Sequence, residues 1–290
     1  MNKFFNPEIT SWSSLVQRPL YSLDSVKDVV DGIFNNVELY GDKSLIDYTN
    51  KFDNVKLTDL KINADKISNS EKNIGKELKD AINIAFDNIY KFHENQIYKS
   101  KKIETTKGVL CWQEKRAIEN VGLYIPGGTA PLFSSVLMLA IPAMIAQCKN
   151  IVLCSPPDKN GELHPAILYC AKLCKIDTVI RVGGAQSIAA MSLGTETVPK
   201  VNKIFGPGNQ FVTYAKLKSI NFNTAIDMPA GPSELLVVAD KYANPNYIAS
   251  DLLSQAEHGP DSQVIFVSLS KSLIDDVEKC IYDQIKNLDR

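Results

Sequence analysis

The stretch Gly122-Leu-Tyr-Ile-Pro-Gly-Gly128 places a short apolar run directly before a glycine-rich turn. The same arrangement occurs at Thr178-Val-Ile-Arg-Val-Gly-Gly-Ala-Gln186 and at Lys203-Ile-Phe-Gly-Pro-Gly-Asn209. Such runs, separated by helical segments, are typical of strand–helix units on a mainly parallel sheet. Glycine-rich turns at the carboxyl ends of these strands line the ligand crevice of an open α/β sheet. The sequence therefore predicts an α/β fold with a ligand crevice.

Outward from this stretch, short apolar runs alternate with helical segments. The predicted strands are 122–125, 151–154, 178–182, 203–205, 234–239 and 263–269, and the predicted helices are 133–146, 164–174, 185–192, 209–219 and 245–257. Upstream, apolar residues repeat at helical spacing from Val26 to Val37, after Asp24 or Ser25, either of which can cap a helix. Ser68-Asn-Ser-Glu71 has the pattern of a capping box at the start of a longer helix. We therefore expect a mainly helical region before the α/β part.

Composition and charge exclude several classes of protein. The chain of 290 residues is 44% hydrophobic and carries a net charge of −1, so no overall field attracts nucleic acid or an anionic membrane. An uncharged stretch runs from Asn120 to Cys148, but its purely apolar part, 136–146, is too short to cross a bilayer. The N-terminus lacks the apolar region of a signal peptide. These features, with six cysteines that show no disulfide spacing, predict a cytoplasmic protein with buried, reduced thiols.

The crevice predicted from the glycine turns does not reveal its ligand. The Rossmann pattern G-x-G-x-x-G is absent, because Phe211 follows Gly206 and Gly208 at the third glycine position. The lysine pattern of phosphate-binding loops is absent as well. The turns alone therefore indicate a ligand without naming it.

A second signal is the string Asp251-Leu-Leu-Ser-Gln-Ala-Glu-His-Gly-Pro-Asp-Ser262. Asn244 and Pro245 are a plausible start for its helix, and Gly259-Pro260 a plausible end. Gln255 and His258 stand three residues apart and share one face of the helix. An imidazole nitrogen with an amide oxygen is a workable part of a zinc site. The alternative is a helix end whose polar residues face solvent, and a single histidine taken alone favours it.

Taken together, these strings resemble the histidinol dehydrogenase family. The resemblance rests on 121–128 and its continuation 130–140, on 152–157, 182–186, 203–209, 226–234 and 250–263, and on Gly41-Asp, Tyr48-Thr and Phe52-Asp53 upstream. It runs from about residue 20 to the last residue. The resemblance implies NAD-dependent oxidation of L-histidinol, through L-histidinal, to L-histidine, with a zinc ion orienting the substrate.

The resemblance also implies roles for individual residues. Tyr124, Gln186 and Asn209 would contact NAD. The remaining assignments are Ser233 as a substrate contact, and Gln255 and His258 as zinc ligands that also hold the substrate through the metal.

Other features of the family have no counterpart in this sequence. Family members are longer, and their catalytic Glu-His pair and an aspartate zinc ligand lie beyond Arg290. So does a histidine ligand that the partner subunit donates in the family's homodimer, whose sites are shared between subunits. The catalytic residues are therefore unknown here, and we expect little or no turnover from these 290 residues alone.

The strand–helix pattern and the resemblance together predict two incomplete Rossmann-like domains with mainly parallel sheets, plus the helical N-terminal region. One domain, on the NAD side, covers 124–233. The other, on the metal and substrate side, combines 21–123 with 234–290. Residues 1–20 are predicted to form an arm that packs against a partner subunit.

Two alternatives remain open on the sequence alone. The first is a truncated, non-catalytic module that binds NAD or metal. The second is a related dehydrogenase that oxidises another small alcohol, such as a sulfonated diol. The string that contains Gln255 and His258 favours histidinol over the other alcohols.

Overall fold

The computed structural model describes residues 1–17, 24–98, 100–127, 131–229, 233–258 and 262–288. Its contacts divide the chain into two compact units, Met1–Ser22 with Gly231–Arg290, and Leu23–Ala230. Within the described ranges, every helix is too short or too polar to cross a lipid bilayer.

The N-terminal part of the chain is mainly helical, as predicted. It contains α1 (Ile9–Leu15), α2 (Asp24–Asp53), α3 (Ala64–Ser68) and α4 (Lys76–Glu94), with a short 3-10 helix at Ser70–Asn73. A hairpin of β1 (Ile103–Thr106) and β2 (Val109–Cys111) follows. The sequence pattern did not predict this hairpin, because its residues are exposed and show no alternation of apolar and polar side chains.

A five-stranded parallel sheet forms the centre of the unit Leu23–Ala230. Its strands are β3 (Asn120–Tyr124), β4 (Asn150–Cys154), β5 (Thr178–Ile180), β6 (Lys203–Phe205) and β7 (Ala225–Ile226). The connecting helices are α5 (Phe133–Ile145), α6 (Pro165–Leu173), α7 (Gly184–Leu193) and α8 (Gln210–Ser219). The prediction of an α/β fold with parallel strands is confirmed.

The strand order in this sheet is β5-β4-β3-β6-β7, and all neighbouring strands are parallel. The chain adds strands in one direction from β3 to β5, and then returns to add β6 and β7 on the other side of β3. The order therefore reverses between β3 and β6. In open α/β sheets, ligands bind at the carboxyl ends of the strands beside such a reversal.

Both faces of the sheet are buried under helices. Successive residues of a strand point to opposite faces: Tyr124 joins one apolar cluster with residues of α2, α7 and α8, whereas Leu123 joins another with residues of α4, α5 and α6. The N-terminal helices therefore complete the two layers that cover this sheet.

This packing divides the chain differently from the predicted domains, which joined 21–123 to 234–290. The helices of 24–94 pack on α5, α6, α7 and α8, and so belong to the same unit as the sheet. The apolar stripes of α2 and α4 predicted that these helices are partly buried. The stripes do not indicate which surface buries the two helices, because any apolar layer satisfies the same pattern.

The second unit contains one strand–helix–strand repeat and a further helix. Strand β8 (Glu234–Ala239) leads through α9 (Pro245–Ala256) to β9 (Gln263–Ser268), which pairs in parallel with β8, and α10 (Lys271–Ile285) follows. Apolar residues of both helices and of one face of the two strands form its core. Lys3, which lies six residues before α1, forms ion pairs with Asp275 and Glu278 of α10.

The predicted capping box at Ser68–Glu71 is wrong. Ser68 Oγ donates to the carbonyl oxygen of Asp65 at 3.1 Å, and the carboxylate of Glu71 pairs with Lys79 and Lys172. Helix α4 therefore begins later, at Lys76, after Gly75 as N-cap. A short sequence motif cannot show that its carboxylate forms an ion pair with a lysine far away in the sequence.

The cysteines are all free. Cys154, Cys170 and Cys174 are buried, and burial raises the pKa of each thiol to about 12, so these groups stay protonated and unreactive. The expectation of buried thiols is wrong for Cys111, which lies in strand β2, where all three residues are exposed.

Candidate functional site

A cavity of about 820 Å³ opens at the carboxyl edge of the five-stranded sheet. Its walls come from the segments that follow β3, β4, β5 and β6, together with residues of α2. Cavities of this size are common for cofactors and small molecules. The cavity therefore lies where the strand order places a ligand.

The cavity brings together all three residues that the family resemblance assigned to NAD. Tyr124 is the last residue of β3, Gln186 lies in the first turn of α7, and Asn209 is the N-cap of α8. They are separated by up to 85 positions in the sequence, yet each lies at or after the end of a strand of the same parallel sheet. The carboxyl ends of parallel strands meet at one edge, which explains why they converge.

Tyr124 is anchored between the core and the cavity. Its side chain is only 4% exposed, and its hydroxyl oxygen accepts a hydrogen bond from the backbone N–H of Gly184 at 3.3 Å. Burial raises the pKa of the phenol to about 12, which keeps the hydroxyl protonated. The hydroxyl proton is thus available to donate to an acceptor on a ligand.

The start of α7 suits an anionic group. Gly184 has a positive φ of 62°, and a Cβ atom there would lie 2.6 Å from Oε1 of Gln186. The N-cap residue, Gly183, makes no side-chain capping bond, and the first turn contains no acidic residue. Backbone N–H groups at a helix N-terminus bind phosphate oxygens well, and Ala185 and Gln186, which follow Gly184 in the first turn of α7, line the cavity.

The turn after β6 is fixed by an ion pair between a buried lysine and a more exposed aspartate. The N–H of Gly206 donates to Asp227 Oδ2 at 2.9 Å, and its carbonyl oxygen accepts from Lys216 Nζ at 2.8 Å. Lys216, whose side chain is 4% exposed, forms an ion pair with Asp227. Three residues after Gly206, Asn209 Oδ1 accepts from the N–H of Val212 and caps α8. The network positions Asn209 at the cavity wall.

Two segments of the cavity wall were not predicted from the sequence pattern. The first is the end of α2, where Phe52 and Asp53 line the cavity; these two residues entered the sequence analysis only through the family resemblance. Pro156 also lines it, after β4. A signal for Pro156 was present, because 155–157 follows a predicted strand as the glycine turns do. The contribution of α2 depends on tertiary packing and has no local signal.

The other predicted residues lie in the second unit. Ser233 immediately precedes β8, and its carbonyl oxygen accepts from the N–H of Gln263, the first residue of β9, at 3.4 Å. Helix α9 runs opposite to the two parallel strands, so its C-terminal end lies near the start of β9. Ser233, Gln255 and His258 are therefore found at the same end of the strand–helix–strand repeat. The predicted helix end at Gly259-Pro260 lies outside the described residues.

Gln255 and His258 fit part of a metal site. The side-chain amide nitrogen of Gln255 is buried and has no hydrogen-bond partner among the described residues. An unpartnered buried polar group is costly, and a cation bound at the amide would relieve that cost once the amide turns its oxygen inward. His258 is exposed just beyond α9. Its backbone N–H donates to the backbone carbonyl oxygen of Gln255 at 3.3 Å.

These two residues do not complete a zinc site. Across the described ranges, no group of three or more His, Cys, Asp or Glu side chains could hold a metal ion. Zinc usually takes four ligands. Gln255 and His258 would therefore leave positions for other donors.

Comparison with known proteins shows what this arrangement resembles. The sequence model of the family described as histidinol dehydrogenase matches residues 16–290. A histidinol dehydrogenase of Bacteroides thetaiotaomicron is 52% identical over 284 residues, which are 98% of this chain and 66% of that protein. The chain belongs to the histidinol dehydrogenase family.

Further members of the histidinol dehydrogenase family give the same result. The Escherichia coli K12 protein is 50% identical over 279 residues, 95% of this chain and 63% of its own length. The crystal structure of the Elizabethkingia anophelis histidinol dehydrogenase has a TM-score of 0.91 and 50% identity, and the match covers 99% of this chain and 66% of that one. The chain thus spans about two thirds of the length of these histidinol dehydrogenases.

Proposed function

We propose that this chain takes part in the NAD-dependent oxidation of L-histidinol, through L-histidinal, to L-histidine. The observation that carries the proposal is the convergence of Tyr124, Gln186 and Asn209 on one cavity beside the reversal of strand order. Membership of the histidinol dehydrogenase family supports the substrate and the place in histidine biosynthesis.

In this proposal the cavity binds NAD. Its apolar walls, which include Phe52, Pro156 and Phe211, accommodate flat rings, and the N-terminus of α7 offers backbone N–H groups to the phosphates. The Tyr124 hydroxyl, held protonated by burial, donates to an oxygen of the cofactor. The residues of the sheet edge are fixed by hydrogen bonds within the protein, so little ordering is needed on binding.

The second unit would hold the substrate through zinc. When bound, NAD would accept one hydride in each of the two oxidation steps, and zinc would supply a Lewis acid that orients the alcohol. Gln255 and His258 would bind the metal, and Ser233, at the same end of the repeat, would contact the substrate. Fixing the substrate in one orientation lowers the entropic barrier to its reaction. We propose further that the protein acts in the cytoplasm as a homodimer with sites shared between subunits, as the resemblance implies.

A non-catalytic binding module is the second candidate. It is favoured by one observation: the described residues contain no three-donor group for a metal, so they hold only part of the proposed zinc site. Such a module would bind NAD, or metal, without turnover.

Titration calorimetry tests the proposal on the 290-residue chain. We expect NAD to bind, and L-histidinol to bind in the presence of zinc and not after chelation, because its imidazole and amine are metal ligands. A sulfonated diol should bind more weakly, since it lacks both groups. We expect little or no turnover of L-histidinol by these residues alone in a steady-state assay. Absence of NAD binding, or a preference for the diol, would contradict the proposal.

A further inference from the structure

We propose that Asp53 selects a dinucleotide that lacks a 2′-phosphate, by accepting a hydrogen bond from a ribose hydroxyl and repelling a phosphate at that position. The inference rests on the proposed binding of NAD in this cavity. It adds a specificity residue that comes from helix α2, outside the segments that follow the strands.

Asp53 lies at the cavity with an oxygen that has no partner. It is the last residue of α2, and it lines the cavity together with Phe52 and Tyr124. Its Oδ2 atom is buried and accepts no hydrogen bond from the described residues. Burial raises the pKa of this carboxyl, as expected when the charged form has lost water without gaining a donor. A hydroxyl group of a ligand would supply that donor.

The other carboxylates at the cavity are already engaged. Asp158 Oδ1 accepts from the backbone N–H groups of Asn160 and Glu162, at 2.8 and 2.9 Å. Glu162 Oε1 lies 2.7 Å from Lys66 Nζ and 3.5 Å from Arg181 Nη1. Among the carboxylates that the structure describes at this wall, Asp53 is the one with a buried oxygen that accepts no hydrogen bond.

The charges of the cavity wall disfavour a second phosphate near Asp53. The described lining includes Asp53, Asp158 and Glu162 but no lysine or arginine. Proteins that accept a 2′-phosphate usually place an arginine near it, whereas those that prefer the hydroxyl place a carboxylate there. A phosphate beside an unpaired, partly buried carboxylate is repelled more strongly than in water, because the local dielectric constant is lower.

The preceding observations predict a measurable preference. The 290-residue chain should bind NAD at least about 10-fold more tightly than NADP, a ratio that corresponds to one strong charge contact. The Asp53→Asn variant, which keeps the shape and removes the charge, should reduce this ratio about 10-fold, mainly through tighter binding of NADP. Asp47→Asn is the matched control, because Asp47 is exposed on the same helix and does not line the cavity.

Calorimetry with NAD and NADP on the three proteins gives the answer. An unchanged ratio in Asp53→Asn, or an equal change in Asp47→Asn, overturns the role of Asp53 and leaves NAD binding intact. Failure of the unmodified chain to bind NAD overturns the proposed function instead, and the inference with it. If Asp53→Asn does not fold, the ratio in the unmodified chain still decides the matter. The preference for NAD over NADP in the unmodified chain should fall as salt is raised, because salt screens the repulsion between the Asp53 carboxylate and the 2′-phosphate. A preference that does not depend on salt contradicts the inference.

Discussion

A Gly206→Ala variant should lose about 3 kcal/mol of unfolding free energy, one of the larger effects expected from a single methyl group. Gly206 has a φ of 129°, a backbone conformation that residues other than glycine rarely adopt. An added Cβ would overlap the carbonyl oxygen of Tyr124, and that atom belongs to the backbone and cannot swing aside. The turn is also held by Asp227 and Lys216, which prevents it from relaxing.

Gly32→Ala is the matched control for this prediction. Gly32 lies within α2, and a Cβ added there meets no atom within 4 Å. Alanine in a helix should raise the unfolding free energy by about 0.5–1 kcal/mol. Denaturant unfolding of both variants measures the two effects. Similar free energies of unfolding for Gly206→Ala and the unmodified chain would show that the turn after β6 is not built as described.

A Gln255→Ala, His258→Ala double variant should lose at least about nine tenths of its bound zinc, because the loss even of a group that only orients a metal ligand weakens binding by about 10- to 100-fold. The described residues offer no other group of three metal-binding side chains to take over. The measurement is zinc per chain by mass spectrometry after dialysis against a fixed low zinc concentration.

His93→Ala is the control for the zinc experiment. His93 lies on α4, packs edge-on against Phe92, and its Nδ1 is 2.8 Å from Oε1 of Gln96, so its loss removes a histidine without touching α9. Zinc content should be unchanged in this variant. Undiminished zinc in the double variant would show that Gln255 and His258 are not the ligands.

Much of the α/β part could be predicted from the sequence. Strands 203–205 and 234–239 have the predicted ends, and the other four predicted strands and five predicted helices differ by at most two residues at each end. The reason is physical: buried parallel strands are short apolar runs, and glycine or proline stands within two residues of the end of four of the six predicted strands. The same rule predicted that the residues after these strands would meet at one edge.

The rest could not be predicted, because it depends on contacts between distant segments. The pairing of α2 with α7 and α8 brings Asp53 to the cavity, and nothing near Asp53 in the sequence indicates this. Glu71 is a second example, because it forms ion pairs with Lys79 and Lys172 instead of capping a helix. The assignments to NAD and zinc came from the family resemblance, since the glycine turns alone suit many ligands.

A crystal structure of the 290-residue chain grown with NAD is the most direct test of the central claim, which is that the sheet edge at the β3–β6 reversal binds the dinucleotide. We predict density for NAD in the cavity, in contact with Tyr124, Gln186 and Asn209, with its phosphates at the N-terminus of α7. Density for NAD at another surface, with this cavity filled only by solvent, would contradict the account.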